Sequence, residues 1–126
     1  KEYVEMQWKM LQQEKAKDYV IATGRQASVR DFIDLAANSL GWGALEWKGS
    51  GLNEIGVRKD NNQIVVRIDQ KYFRPNEVNT LLGDANLANQ ELGWKAEINL
   101  EELVAEMIEY DLKVQHSQNI YSPIDF

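Results

Sequence analysis

The stretch that most constrains the fold runs from Ser28 to Gly43. Ser28-Val29-Arg30-Asp31 has the form of a capping box, with Ser28 as the cap and an acidic residue at the third helical position. Aspartate is shorter than the glutamate usual there, so its return bond has less reach. Val29, Phe32, Ile33, Ala36, Ala37 and Leu40 then recur at the spacing of one helical face, and Gly41 and Gly43 supply a stop. A helix of this kind needs an apolar surface to cover. Strand-like runs flank it: Asp18-Tyr19-Val20-Ile21-Ala22-Thr23 before it, read as a short buried strand, and Leu45-Glu46-Trp47-Lys48 after it.

The rest of the chain extends this pattern. Val4, Trp8 and Leu11, flanked by Tyr3 and Met10, predict an opening helix, and Gln12 to Lys17 a polar break. Ile55 to Arg58 and Gln63 to Asp69, joined across Lys59-Asp60-Asn61-Asn62, predict a hairpin. Val78 to Leu82 is a short apolar run closed by Gly83-Asp84. Asn86 to Glu91 predicts a small helix with Leu87, Ala88 and Leu92 inward, stopped at Gly93. Asn99 and Glu102 suggest a second capping box. It opens a long helix with Leu100, Leu103, Val104, Met107, Ile108 and Leu112 on one face, and Glu101, Glu102, Glu106, Glu109 and Asp111 largely on the other. From His116 the periodicity fades, which sets a boundary at 1–114 for the globular part and leaves 115–126 as a mobile or docking tail. The expected class is α/β of an α+β-like kind, with one strand–helix–strand unit.

Composition narrows the function. A length of 126 residues suits one domain, and a formal charge of −6 leaves no basic stripe for nucleic acid or an anionic membrane surface. There are no cysteines, which removes disulfides, thiolate nucleophiles and thiolate metal sites and fits a reducing, cytoplasmic setting. No apolar run approaches the roughly 20 residues of a membrane span. The chain opens on Lys1, already inside a helical pattern, so it reads as cut from something longer.

Candidate chemistry is sparse. His116 is the only histidine, without a serine or cysteine partner at a meaningful spacing or a second histidine for a metal, so no metal site is expected. No tyrosine has a lysine four positions on. The four tryptophans, at 8, 42, 47 and 94, suit packing better than a sugar platform. Gly49-Ser50-Gly51-Leu52-Asn53-Glu54-Ile55-Gly56 superficially resembles a phosphate-binding loop. However, Glu54 stands at its last required glycine position and no helix-opening context follows, so a flexible loop or insertion is expected.

The remaining candidate is Tyr72-Phe73-Arg74-Pro75-Asn76-Glu77-Val78. Pro75 stiffens the chain and pushes Arg74 to extended geometry. Arg74 offers a planar donor fork suited to phosphate, and Glu77 offers acceptors suited to vicinal hydroxyls. The same four residues also suit a plain surface ion pair. No residue of the chain is expected to be catalytic.

Taken in order, these blocks resemble the C-terminal part of the GDP-mannose 4,6-dehydratases, within the extended short-chain dehydrogenase/reductases. Tyr3-Val4 with Trp8, Met10, Leu11 and Gln12 is similar to the family's helix after an Arg-Asp-Trp-Gly-His motif, which is absent here. Tyr19 to Gly24 with Ser28 to Phe32 resembles its strand-and-helix block, and Trp47, Gly49, Gly51, Glu54 and Gly56 its glycine-containing loop. Tyr72 to Val78, followed by Leu81-Leu82-Gly83-Asp84, is nearly its signature. Leu92-Gly93-Trp94-Lys95 and Leu103-Val104 complete a resemblance over roughly residues 1 to 113. Ala27 replaces a common tyrosine, Ala85 and Ala96 replace usual prolines, and Leu87 replaces a frequent lysine.

The resemblance implies a C-terminal substrate-binding lobe, without the N-terminal Rossmann core. It implies a lyase that converts GDP-mannose to GDP-4-keto-6-deoxymannose, toward GDP-fucose, with NADP taking a hydride from the sugar C4 and returning it to C6. The reactive Tyr-x-x-x-Lys pair, threonine and glutamate, and most of the NADP site, would lie outside this chain. By the same resemblance Arg74 contacts the diphosphate, Glu77 holds the ribose, and the enzyme is a homo-oligomer. The residues also leave open another nucleotide-sugar epimerase, dehydratase or reductase, or a non-catalytic sugar-nucleotide-binding or oligomerisation module.

Overall fold

A computed structural model describes residues 1–118 apart from Asn76, Glu77 and Asn79. In chain order its regular elements are α1 (Glu2–Leu11), α2 (Val29–Ser39), β1 (Glu46–Lys48), β2 (Ile55–Val57), β3 (Ile64–Arg67), α3 (Asn86–Leu92) and α4 (Leu100–Gln118). The class is α+β, with one three-stranded antiparallel sheet in the order β1-β2-β3. The chain divides into two compact units. One is Lys1–Ala27 with Asn76–Asn99; the other is Ser28–Pro75 with the segment from Leu100 on.

The second unit follows the local signals of the sequence. The Asp31 N–H donates to Ser28 Oγ at 3.1 Å, and the Ser28 N–H donates to Asp31 Oδ2 at 2.8 Å, so aspartate does close the capping box. At the other end Gly41 is left-handed at φ 76°; its N–H reaches the Asn38 carbonyl, and the Trp42 N–H reaches that of Ala37. This is the paired closure of a Schellman motif, open to glycine because it lacks a Cβ. α2 packs on α4. Ala37, Leu45, Val57 and Val104 are the buried apolar residues of this unit. Val29, expected on the buried face, is instead exposed in the first turn of α2.

The hairpin forms as expected. Gly56 faces Val66 across β2 and β3, and an irregularity between Gly56 and Val57 brings Val57 opposite Ile64. A methyl on Gly56 would lie 3.0 Å from Val66 Cβ and 3.2 Å from Leu45 Cδ1, so the sheet uses the missing side chain to admit its neighbours. Gly49 to Gly56 is not a loose loop. Gly51–Asn53 is a 3-10 turn leading into β2, and Gly49, at φ 80°, sits where a methyl would lie 2.3 Å from the Asn53 carbonyl oxygen.

α4 continues to Gln118, past the boundary at 114 drawn from apolar periodicity. Polar contacts extend it: Lys113 pairs with Glu109 four residues back, and a ring nitrogen of His116 lies 2.6 Å from the Leu112 carbonyl oxygen. Glu101, Glu102, Glu106, Glu109 and Asp111 are all exposed, as the acidic-face reading requires. Leu103 and Met107, expected inward, are each 44% exposed, while Val104 is fully buried.

In the first unit the core is Met6, Ala88 and Trp94, with Met10, Tyr19, Ile21, Ala85, Leu92 and Ala96 packed around it. α1 is therefore turned relative to its sequence reading. Met6 is its buried residue, while Val4, Trp8 and Leu11 are exposed. Trp94 donates its indole N–H to the Glu2 carbonyl oxygen at 3.1 Å, and Tyr3 meets its ring edge-on with centroids 5.7 Å apart. The Glu2 carboxylate accepts the Glu97 and Ile98 N–H groups at 2.8 and 3.1 Å. Asp18 to Thr23 is not a strand among the described residues. A strand is one half of a hydrogen-bonded ladder, and the described residues give this segment no other half.

Candidate functional site

β3 leads directly to the Arg74 stretch. Past Arg67 the chain leaves the sheet and Asp69 organises a turn, its Oδ1 accepting the Lys71 N–H at 2.8 Å and its carbonyl accepting the Tyr72 N–H at 3.0 Å. Aspartate is suited to this because its short carboxylate can cap its own following backbone. The Phe73 N–H reaches the Gln70 carbonyl, and the Lys71 ammonium stands 5.3 Å from the centroid of the Tyr72 ring. Arg74 and Pro75 follow, both exposed. The turn thus delivers an arginine at the surface of the second unit, on a backbone restrained by Pro75 behind it. Glu77, its expected companion, lies outside the described residues.

A second polar cluster in the same unit was not foreseen from the sequence. Arg30, in the first turn of α2, forms an ion pair with Glu54, and its guanidinium carbon is 5.1 Å from the centroid of the Trp47 ring. Trp47 gives its indole N–H to both Asp34 carboxylate oxygens, at 3.3 and 3.2 Å, and Asp34 Oδ1 also accepts the Leu45 N–H at 3.1 Å. Asp34 and Arg30 lie one helical turn apart, so one face of α2 holds both β1 and the glycine-containing loop. Nothing in the spacing of Arg30, Trp47 and Glu54 announces this contact; only the folded chain brings them together. The cluster explains why Glu54 stands in that loop. It is an anchor whose side chain is only 19% exposed.

The loop also bears on a dinucleotide cofactor. A pyrophosphate cradle needs glycines that open a helix, so that N–H groups and the helix dipole face the phosphates. Here the glycines enter a 3-10 turn and then β2, and Glu54 adds a carboxylate. This loop does not fit a cofactor pyrophosphate. His116 is exposed and engages its own helix backbone. Among the described residues there is no cluster of three or more His, Asp or Glu side chains that could hold a metal ion, and no helix long and apolar enough to cross a membrane.

The clearest electrostatic perturbation in the first unit surrounds Glu91 on α3. Lys17 pairs with one of its carboxylate oxygens, and the Tyr19 hydroxyl donates to the other at 2.7 Å. The Lys17 hydrogen bond, then that from Tyr19, hold the Glu91 carboxyl below its ordinary range; the same carboxylate raises the Tyr19 phenol. This arrangement fastens the 17–19 segment to α3.

The family model for GDP-mannose 4,6 dehydratase matches residues 1–107, which include the whole Arg74 stretch. The chain belongs to the GDP-mannose 4,6-dehydratase family. Named GDP-mannose 4,6-dehydratases align with most of it. One from Vibrio cholerae serotype O1 is 49% identical, covering 93% of this chain and 34% of its own length. One from Drosophila melanogaster is 44% identical, covering 94% and 30%, and one from Homo sapiens 40%, covering 93% and 31%. The chain therefore spans about a third of the length of the curated GDP-mannose 4,6-dehydratases it matches.

Proposed function

We propose that this chain forms the GDP-sugar-binding side of a GDP-mannose 4,6-dehydratase that converts GDP-mannose to GDP-4-keto-6-deoxymannose. The observation that carries the proposal is the family match across residues 1–107, which takes in Arg74 and Glu77 within a nearly complete Tyr72–Val78 signature. Arg74 is the diphosphate contact in this reading. A guanidinium can give parallel charge-assisted hydrogen bonds to phosphate oxygens, and its exposed position after the Asp69 turn suits an incoming ligand. Glu77 is the ribose contact, since an ionised carboxylate accepts hydrogen bonds from neighbouring hydroxyls.

Neither residue acts on the reacting carbons. Binding the nucleotide end fixes the hexose relative to reactive groups carried elsewhere in the longer protein, which lowers the entropic part of the barrier. NADP, held mainly outside this chain, would supply the reversible hydride chemistry of this reaction. The same reading places residues 1–114 in a C-terminal lobe, a Rossmann domain before it, and the assembled enzyme in the cytoplasm as a homo-oligomer working toward GDP-fucose.

The direct test is to incubate the full-length protein with GDP-mannose and NADP and follow the sugar nucleotide by mass spectrometry. Loss of one water from GDP-mannose, with no net consumption of NADP, is the expected result. Binding without dehydration would favour a non-catalytic module, and dehydration or epimerisation of another nucleotide sugar in preference would overturn the assigned substrate.

A further inference from the structure

A diphosphate that joins two sugars carries a negative charge on each phosphate. On the reading of Arg74 and Glu77 given above, one guanidinium and one carboxylate face that ligand, in a chain whose formal charge is already −6. Those two side-chain charges cancel, which leaves both phosphate charges uncompensated. Such a site calls for a further cation. It has to be a near one, because exposed charges beyond about 10 Å are largely screened by salt.

The turn that delivers Arg74 carries one. The Tyr72 N–H reaches the Asp69 carbonyl at 3.0 Å and the Phe73 N–H that of Gln70 at 3.4 Å, successive bonds of the kind that wind a 3-10 turn. Lys71 lies within this turn, its own N–H fixed by Asp69 Oδ1 at 2.8 Å. Three residues fully extended span about 11 Å, so the winding of the turn keeps the Lys71 and Arg74 backbones closer than that. Both side chains are long and exposed. The Lys71 ammonium stands 5.3 Å from the centroid of the Tyr72 ring, which is itself 71% exposed. Contact with an open ring guides an ammonium but is weaker than a charge-assisted hydrogen bond to phosphate. Three other cations of this unit pair with carboxylates: Arg30 with Glu54, Lys48 with Glu46 and Arg58 with Asp60.

We infer that Lys71 is a second phosphate contact of the GDP-sugar site, its ammonium on one phosphate and the Arg74 guanidinium on the other. Lys71 has this role only if Arg74 is the diphosphate contact proposed above. The two cations then do different work. The planar fork of Arg74 fixes the orientation of the phosphate it meets, whereas the compact ammonium of Lys71 supplies charge from a flexible stem. Tyr72 keeps that stem near the site before the ligand arrives, which lowers the cost of ordering it.

Calorimetric titration of the full-length, NADP-bound protein with GDP-mannose tests this in two variants. Lys71→Met keeps an apolar stem beside Tyr72 and loses the charge; Lys71→Arg keeps the charge. Lys71→Met is expected to weaken binding about 10-fold and Lys71→Arg less than about 3-fold, with the Lys71→Met loss shrinking as salt is raised. Unchanged affinity in Lys71→Met, beside a wild type that binds, would overturn the Lys71 contact and leave the Arg74 reading standing. A loss that persists undiminished at high salt, or that Lys71→Arg shares in full, would also overturn it, by making the role one of packing. If the wild type itself does not bind GDP-mannose, the Arg74 reading fails and the Lys71 contact with it.

Discussion

The sheet of the second unit joins strands that follow one another in the chain, whereas the first unit is held by contacts between residues up to 96 positions apart. In the second unit a capping box, a Schellman glycine and a hairpin each settle a few neighbouring residues, and α2 then needs only the sheet and α4 to cover it. The first unit depends on Glu2 reaching residues 94–98, on Lys17 and Tyr19 reaching Glu91, and on Gly83 admitting Val20 and Ala22. Local order therefore guides one unit, and long-range side-chain contact decides the other.

The largest effect should come from the residue on which the first unit converges. Trp94→Ala removes a side chain that is 2% exposed, together with its bond to the Glu2 carbonyl. It should cost about 3–5 kcal/mol in chemical denaturation of the full-length protein. A loss below 1 kcal/mol, taken here as roughly the effect of a mild core change, would break the contrast between the units. Next comes Gly83→Ala, whose new methyl meets Ala22 Cβ at 2.6 Å. Overpacking of this kind should cost about 1–3 kcal/mol, with partial recovery in the Gly83→Ala/Ala22→Gly double variant. Additive losses in that double variant would show that the two positions do not press on each other.

A smaller and more local loss is expected in the second unit. Ser28→Ala removes one cap and should cost about 1 kcal/mol, measured as a shift in denaturation midpoint at constant slope. Smallest is the pH response. Hydrogen bonds from Ser28 hold Asp31 below its ordinary 3.8, and Glu91 is held below its ordinary 4.5 chiefly by Lys17. Both carboxylates have depressed folded values, so their stabilisation is present above those ordinary values and is lost as pH falls through the folded ones. Tyr19 is raised above 10.0 by Glu91; its contribution is present below that value and is lost as pH rises through the folded one. Glu91→Gln should therefore flatten the acid limb and return the Tyr19 phenol toward 10.0 in a spectrophotometric titration. An unchanged phenol titration would remove the Glu91 contact from the account.

This contrast also explains what could be read without coordinates. The α2 box, its glycine stop, the β2–β3 hairpin and the acidic face of α4 all follow from residues a few positions apart. Val4, Trp8 and Leu11 on α1 show where such reasoning fails: their helical spacing is real, yet Met6 is the residue that meets Ala88 and Trp94. Periodicity identifies a helix, but the face it buries depends on what packs against it. The Tyr19–Thr23 run shows a related failure, because strand propensity does not contain the partner that makes a ladder. For the site, Arg74 is proposed from the sequence context of Tyr72, Phe73 and Pro75, and the fold leaves it exposed after the Asp69 turn. The Arg30–Glu54–Trp47 cluster had no such signal, since its members meet only through the fold.

The central functional claim rests on Arg74, and calorimetry of the full-length protein with Arg74→Ala tests it most directly. Replacing a charged donor to a diphosphate should weaken GDP-mannose binding about 10- to 100-fold, with NADP affinity unchanged. Unchanged GDP-mannose affinity in that variant would contradict the assignment of this stretch as the nucleotide-binding side of the site.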